Sequence, residues 1–418
     1  MSESPARQRA LQKAAGSIVL LLVFAGCATW TAPTSLSDAP LRERAVSATK
    51  QDTRVSVAVL GADDSKRMFG ADINRHIVQP LWIEVENRTT QALWLLHSGT
   101  DPNYFSPLEV AWSMHTLLGG ATNAEIDSHL NKLGFRNPVP PGETRTGILF
   151  ANPDRQIKLV NIDLLGSKTL IPYSLFLPVP DDAADPHFAL TPFQYPETAI
   201  VDYHDLASLR AALEEMPCCA TDEPAKTAAD PLNVVVIGTL GDIGAAMVRR
   251  SYRRDMRKND LAQLLFGRTP DVILRKEAQT GAPSTSLRAW LAPIRFNGDP
   301  VYLVQVGRPV GGRFAHHDTD GGGTLHEDVD EARNLLVQDM MYSGGLDKLG
   351  FVNGVGASPQ GHPRTTLNGG RYYTDGLRAV MFFATRPLSF TNVEMLDWVP
   401  YLEQGDPAAR KENGDAGK

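Results

Sequence analysis

The most constraining feature of this sequence is an apolar run at residues 18–27 that ends in Cys27. Three basic side chains precede the run, and two small residues lie directly before the cysteine. The run is too short for a stable transmembrane helix, and this arrangement is typical of a bacterial secretion signal. We therefore predict a lipoprotein signal peptide over residues 1–26, with a lipid attached to the thiol of Cys27.

The residues around Cys27 refine this interpretation. Phe24 stands where lipoprotein signals usually have Leu, so the alternative is an ordinary signal anchor with an incidental cysteine. Ala28 stands where Asp would resemble an inner-membrane retention signal, which favours the outer membrane, facing the periplasm. Residues 27–50 are rich in Thr, Ser, Ala and Pro and are predicted to be a flexible tether. The membrane, reached through the lipid anchor, is therefore one predicted partner.

Chain length and charge limit the remaining functions. Removal of 26 residues from the 418-residue chain leaves 392, which is enough for two domains with cores of ordinary size. The formal charge of −7 becomes −9, because the signal carries three basic and one acidic side chain. This acidic balance argues against nucleic acid as a partner. An anionic ligand at a local cluster of arginines, or an envelope protein, is the expected partner.

The two remaining cysteines, Cys218 and Cys219, are adjacent. Neighbouring Cα atoms lie about 3.8 Å apart, which is below the usual disulfide range. We therefore predict two structural thiols that are at least partly buried. A disulfide between neighbours or a redox site is the alternative, while a metal site would need further ligands.

Residues 51–185 carry short strand patterns separated by turn residues, at residues 54–60, 81–86, 92–96, 144–151, 157–164 and 169–177. This spacing predicts an immunoglobulin-like β-sandwich. Residues 123–133 interrupt the strands as a helical insertion, with Asn123 as its N-cap. Trp82 and Trp94 are predicted core residues. A linker is expected over residues 186–199.

Residues 200–390 are predicted to form a mixed α+β domain, followed by a polar tail over residues 391–418. Asn297-Gly298 between two apolar strands is a strong hairpin signal. The predicted helices span residues 205–216 and 328–341. Buried strands are expected at residues 230–238 and 376–384.

Five segments of this domain together resemble the LssY carboxy-terminal domain family. They are residues 215–221, 230–244, 290–308, 328–339 and 373–378. In that family the domain is often joined to membrane segments that resemble lipid-phosphate phosphatases, and its own activity is unassigned. Its name is linked to a type I secretion locus. The family also tends to have a histidine-rich run directly before the Asp328 segment, whereas a glycine-rich insertion separates the two here.

That insertion contains the densest group of candidate metal ligands. Its imidazoles and carboxylates suit zinc or another divalent ion, which could activate water. The spacing matches no familiar metal motif, so a solvated loop followed by a helix cap is the alternative reading. The candidate ligands are His316, His317, Asp318 and His326.

Arginines of the carboxy-terminal domain suggest an anion pocket, because guanidinium groups bind phosphate or carboxylate with two parallel hydrogen bonds. The candidates are Arg308 and Arg378, within the family-like motifs, together with Arg313 and Arg295.

Three glycines after a predicted strand only superficially resemble a dinucleotide-binding loop. The spacing of Gly238, Gly241 and Gly244 differs from G-x-G-x-x-G, and Asp242 is predicted to be a helix cap.

No catalytic residue is identified, because the sequence lacks a Gly-x-Ser-x-Gly elbow or another recognisable nucleophile signature. We therefore expect a lipid-anchored envelope protein with a binding or assembly role. The alternative is a metal-dependent hydrolase that acts on a phosphate-containing envelope molecule. Bound metal in the purified protein would favour the enzyme.

Overall fold

The fold is taken from a computed structural model that describes most of the chain between residues 30 and 398. The described residues are 30, 32–33, 37–76, 78–101, 104–117, 119–155, 157–180, 193–222, 228–254, 263–277, 283–308, 327–365 and 370–398. The predicted signal and Cys27 therefore lie outside the described residues. Within the described part, no helix has the length and apolar character needed to cross a membrane.

The amino-terminal module contains two antiparallel sheets, and six of its seven described strands confirm the predicted segments. The first sheet has the order β1-β2-β3-β5, with β1 Val46–Lys50, β2 Thr53–Val59, β3 Gln79–Asn87 and β5 Thr144–Ala151. The second has the order β4-β6-β7, with β4 Trp94–Leu95, β6 Ile157–Gly166 and β7 Thr169–Pro178. Apolar side chains from β2, β3, β6 and β7 share one buried cluster, so the two sheets pack face to face.

Short helices cover the other face of the first sheet. They are α1 Ala39–Arg44, α2 Ala62–Phe69, α3 Pro107–Ser113 and α4 Gly120–Leu133. The predicted helical insertion is confirmed as α4, but its N-cap is Gly119. The prediction of Asn123 as the N-cap is wrong, because its side-chain amide forms hydrogen bonds with the backbone N–H and carbonyl of Thr116.

The structure corrects two further predictions for this module. Trp82 is a core residue, but Trp94 is 52% exposed because it points outward from the short edge strand β4, where Leu95 points inward. Residues 39–50 are not flexible tether, since α1 buries Leu41 and β1 pairs with β2 along its whole length.

The carboxy-terminal module is built around a nine-stranded mixed sheet, which confirms the α+β class. The helices are α5 Leu206–Glu215, α6 Leu240–Arg249 and α7 Val329–Ser343. The strands are β8 Val201–Tyr203, β9 Cys219–Thr221, β10 Ala228–Pro231, β11 Val234–Ile237, β12 Tyr252–Arg254, β13 Val272–Glu277, β14 Pro283–Phe296, β15 Asp299–Gly307, β16 Leu346–Asn353, β17 Arg364–Thr365, β18 Arg371–Tyr372, β19 Leu377–Phe383 and β20 Glu394–Met395. The order of strands in the sheet is β12-β13-β14-β15-β11-β19-β16-β20, with β8 paired to β14.

Both faces of this sheet are covered, so its central strands are apolar on both sides. Val234 and Val236 of β11 pack with α6 and α7, while Val235 and Ile237 pack with α5 on the opposite face.

The polar tail begins later than the predicted residue 391, because β20 pairs with β16 and Trp398 packs on the α5 face.

The two modules are joined through a buried contact. Leu159 of β6 belongs to the same apolar cluster as α6 and α7, and Phe176 of β7 packs against that cluster. Beside it, Arg249 Nη2 of α6 lies 2.9 Å from Asp163 Oδ1 of β6, and both side chains are largely buried. The modules therefore share a core at their junction.

Candidate functional site

A cavity of about 760 Å³ lies at the junction of the two modules, and we call it the inter-module cavity. The β1–β2 turn and the β6–β7 hairpin line it from the amino-terminal side. The start of α6 and the segment after β19 line it from the carboxy-terminal side. Ligand sites occur preferentially at such junctions, where separate elements converge on one concavity.

The charged side chains of the inter-module cavity are mainly basic: Lys50, Lys168 and Arg386 line it, with Asp242 as the acidic residue. Lys50 Nζ donates to the carbonyl of Pro172 at 2.8 Å, which fixes one ammonium at the wall. Lys168 and Arg386 are exposed, and neither forms an ion pair within the described ranges. Three cations against one carboxylate make this cavity suitable for an anion.

Helix α6 begins at the cavity, and its cap differs from the one predicted. Thr239 is the N-cap, and its hydroxyl accepts from the backbone N–H of Asp242 at 3.2 Å and donates to that carboxylate at 2.6 Å. Asp242 is thus the third residue of the helix. Its charge is tied to Thr239 and largely buried, so the basic side chains dominate the open part of the cavity.

Arg378 is not placed to bind an anion, which corrects the prediction. Its guanidinium is fully buried on the α5 face of the sheet and donates to five backbone carbonyls. The acceptors belong to Leu213, Met216, Pro217, Leu232 and Gly354. Burial lowers the pKa of Arg378 to about 10. This side chain holds the end of α5 against the sheet.

The other candidate arginines lie elsewhere. Arg308 contacts Glu331 of α7 at 3.4 Å, on the sheet face opposite to Arg378. Arg295 stands at the far end of the β14–β15 hairpin and pairs with Glu197 at 2.8 and 2.9 Å. Arg313 lies outside the described residues. The predicted pocket is therefore wrong for the three described arginines, because sheet geometry and local carboxylates separate them.

The predicted metal ligands His316, His317, Asp318 and His326 also lie outside the described residues. Within the ranges that the structure describes, no group of three or more His, Cys, Asp or Glu side chains is placed to hold a metal ion.

Cys218 and Cys219 form a disulfide, so the prediction of two thiols is wrong and the alternative pairing is present. The predicted burial is confirmed, since Cys219 is buried and Cys218 is half-buried. Arg378 donates to the carbonyl of the preceding Pro217, so the disulfide lies beside the turn that this arginine holds.

Two of the family-like motifs meet at the start of α7. Buried Arg333 donates to both carboxylate oxygens of Asp375 at 2.8 Å and to the carbonyl of Leu377 at 2.9 Å. Asp330 accepts from the hydroxyl of Thr374 at 2.7 Å and from the backbone N–H of Asp375 at 2.6 Å. Burial raises the pKa of Asp330, although the Arg333 charge opposes that effect. The network fixes α7 against the connection between β18 and β19.

Residues 261–377 match the LssY C-terminus family. This match confirms the resemblance predicted from the motifs. It spans β13 to β18 and includes α7, and it ends at Leu377 in the Arg333 network. No curated protein matches this chain significantly.

The LssY match is shorter than the predicted resemblance over residues 200–390. The segments at residues 215–221 and 230–244 lie outside the match, yet β11 occupies the centre of the same sheet. The basic residues of the inter-module cavity also lie outside it. Sequence reasoning missed them because each is a single basic residue in a loop or at the end of a strand, and their convergence depends on how the modules pack.

Proposed function

We propose that this protein is a lipid-anchored envelope protein, facing the periplasm from the outer membrane, whose folded part binds an anionic ligand. The observation that carries the binding role is the inter-module cavity with its basic lining from Lys50, Lys168 and Arg386. The shared core at the module junction supports this proposal, because a site between packed elements is largely formed before a ligand arrives.

The anchoring part of the proposal rests on the apolar run and on Cys27. We expect Cys27→Ser to leave the protein without a lipid and to move it from the membrane fraction to the soluble fraction. Mass spectrometry of the amino-terminal peptide checks the acyl chain directly. Membrane retention of a wild-type protein that carries no acyl chain would contradict the proposal.

The finer fold of the amino-terminal module is also proposed to be immunoglobulin-like. Two antiparallel sheets that pack over one apolar cluster support this assignment. Such a sandwich would hold the carboxy-terminal domain away from the membrane and supply one wall of the binding cavity.

Calorimetric titration of the full-length protein in detergent tests the binding role. Inorganic phosphate and citrate are suitable probes, and their affinity should fall as salt is raised, because screening weakens exposed charges. We expect Arg386→Gln and Lys168→Asn each to weaken binding by about fivefold or more. Asn suits position 168 because the backbone there has a φ of 57°, which Asn tolerates.

Lys132→Gln is the matched control, because this exposed lysine lies on α4, away from the cavity. It should leave the affinity unchanged. If neither anion binds, or if all three variants bind equally well, the inter-module cavity is not an anion site.

The alternative function remains a metal-dependent hydrolase built on His316, His317, Asp318 and His326. Metal analysis of the purified full-length protein separates the two proposals. Stoichiometric zinc or manganese, lost after substitution of His316 and His317 by Ala, would favour the hydrolase. A folded protein that binds phosphate without metal would favour the binding role.

A further inference from the structure

A second cavity, of about 340 Å³, adjoins the inter-module cavity. Its walls come from residues 193–200, the start of α6 and the β14–β15 hairpin. We call it the aromatic cavity, because Phe193, Tyr195 and Tyr302 line it. Thr239 lines both cavities, so they share a wall. The volume is near the lower end of the range for small-molecule sites, roughly 300–1,000 Å³.

The aromatic wall is held in place by Arg268. Its guanidinium carbon lies 3.7 Å from the centre of the Phe193 ring, and Nη2 donates to the Tyr195 hydroxyl at 3.3 Å. Arg268 is itself fixed by Asp271 at 2.7 Å and by the carbonyl of Leu291 at 2.9 Å. Because these rings are already ordered, a ligand that packs on them immobilises few further side chains.

Tyr302 supplies the second observation. This side chain is only 5% exposed, and no residue in the described part of the chain hydrogen-bonds to its hydroxyl. The hydroxyl oxygen is not among the fully buried polar atoms that lack a partner in the described ranges, so it retains accessible surface although the ring is buried. Since Tyr302 lines the cavity, a ligand in the cavity can supply a hydrogen-bond partner.

The polar groups of the aromatic cavity carry little net charge. Arg295 and Glu197 line it and neutralise each other through two hydrogen bonds, and Gln194 adds a neutral amide. The lining therefore suits an uncharged ring with one apolar face for the aromatic wall and hydroxyl groups for Tyr302 and Gln194. A pyranose sugar has this combination, whereas a purely aromatic ring would leave the Tyr302 hydroxyl without a partner.

We propose that the aromatic cavity binds the sugar ring of a ligand whose anionic group occupies the inter-module cavity. The ligand class is a saccharide that carries a phosphate or carboxylate group. Thr239 lines both cavities, so the sugar ring and the anionic group would lie on either side of it. The anion half of this inference rests on the proposed function, and the sugar half rests on the aromatic cavity alone.

Titration of full-length protein with three kinds of probe tests both halves. The probes are neutral sugars (glucose and N-acetylglucosamine), their 6-phosphates together with glucuronic acid, and inorganic phosphate. We expect the anionic sugars to bind more tightly than either neutral sugar or phosphate. Tyr302→Phe should weaken every sugar by about two- to tenfold and leave phosphate unchanged.

Lys168→Asn should give the complementary result, with weaker binding of phosphate and anionic sugars and unchanged binding of neutral sugars. Tyr342→Phe is the matched control, because Tyr342 is an exposed tyrosine of α7 that lines neither cavity. It should change no affinity.

The two proposals can fail separately. Phosphate binding that depends on Lys168, with no sugar affected by Tyr302→Phe, would overturn the sugar inference and leave the anion site intact. Sugar binding that depends on Tyr302, without any effect of Lys168→Asn, would confine the ligand to a neutral saccharide and overturn the combined site. Indole binding more tightly than every sugar would also overturn the inference.

Discussion

At the scale of single residues, two buried tyrosines of the carboxy-terminal domain carry hydroxyl groups in different situations. Tyr252 donates to Asp339 Oδ2 at 3.0 Å, and burial raises its pKa, so the hydroxyl remains a neutral donor. Tyr302 packs in the same apolar cluster, but its hydroxyl has no hydrogen-bond partner within the described ranges. The first hydroxyl therefore stabilises the fold, while the second is available to a ligand.

This difference predicts stability effects of different size for the same chemical change. Tyr252→Phe should lower the free energy of unfolding by about 1–2 kcal/mol, because Asp339 loses a buried hydrogen bond. Tyr302→Phe should change it by less than about 0.5 kcal/mol. Urea unfolding of the two variants checks this, and an equal loss in both would show that the Tyr302 hydroxyl is structural.

Arg378 shows how a residue in a family-like motif can be structural. Arg378→Lys keeps the charge but removes the planar fork that reaches five carbonyls. We expect a loss of about 2–4 kcal/mol in unfolding free energy, because several buried carbonyls lose their donor. Arg308→Lys, at a half-exposed arginine, should cost less than about 0.5 kcal/mol. Similar urea midpoints for the two variants would contradict this role.

At the scale of elements, local sequence patterns predicted the strands and helices whose formation depends on interactions between residues close in the chain. The β14–β15 hairpin is the clearest case, since Asn297 and Gly298 both adopt positive φ values, 50° and 87°. These angles match the two-residue turn that Asn-Gly favours. The signal is local, so it could be read without knowing the rest of the fold.

The turn geometry predicts that adding a methyl group at Gly298 lowers the stability of the protein. Gly298→Ala should lower the unfolding free energy by about 1 kcal/mol, because alanine is strained at positive φ. Gly361→Ala is the matched control, since an added Cβ there meets no atom within 4 Å. Thermal unfolding should separate the two variants, and equal melting temperatures would contradict the strain argument.

At the scale of the whole molecule, the modules are coupled by a shared core. Leu159 packs into the carboxy-terminal cluster, and the Arg249–Asp163 pair is largely buried. Breaking such a junction would expose apolar surface and an ion pair together. The two modules should therefore unfold as one cooperative unit.

Hydrogen exchange measured across a urea series tests this coupling. Peptides from β3 and β15 should lose protection at the same urea concentration, because neither module keeps its core alone. Arg249→Met should lower both midpoints together, since it leaves the Asp163 charge buried without its cationic partner. Two separate midpoints in the wild-type protein would show independent domains.

The sequence by itself determined the features that depend on neighbouring residues. A strand pattern directly after the turn residues Pro140-Pro141-Gly142 predicted β5 at its observed bounds. Asp205 and Asp328 cap α5 and α7 through their own side chains. The family resemblance likewise rested on short motifs, and the match over residues 261–377 confirms it.

Only the tertiary structure decided which side chains meet. Arg308 and Arg378 belong to similar motifs but lie on opposite faces of the sheet. Lys50, Lys168 and Arg386 carry no shared pattern, yet they line one cavity. The physical reason is that side-chain direction in a strand alternates with every residue, while convergence between distant turns depends on how the sheets and helices pack.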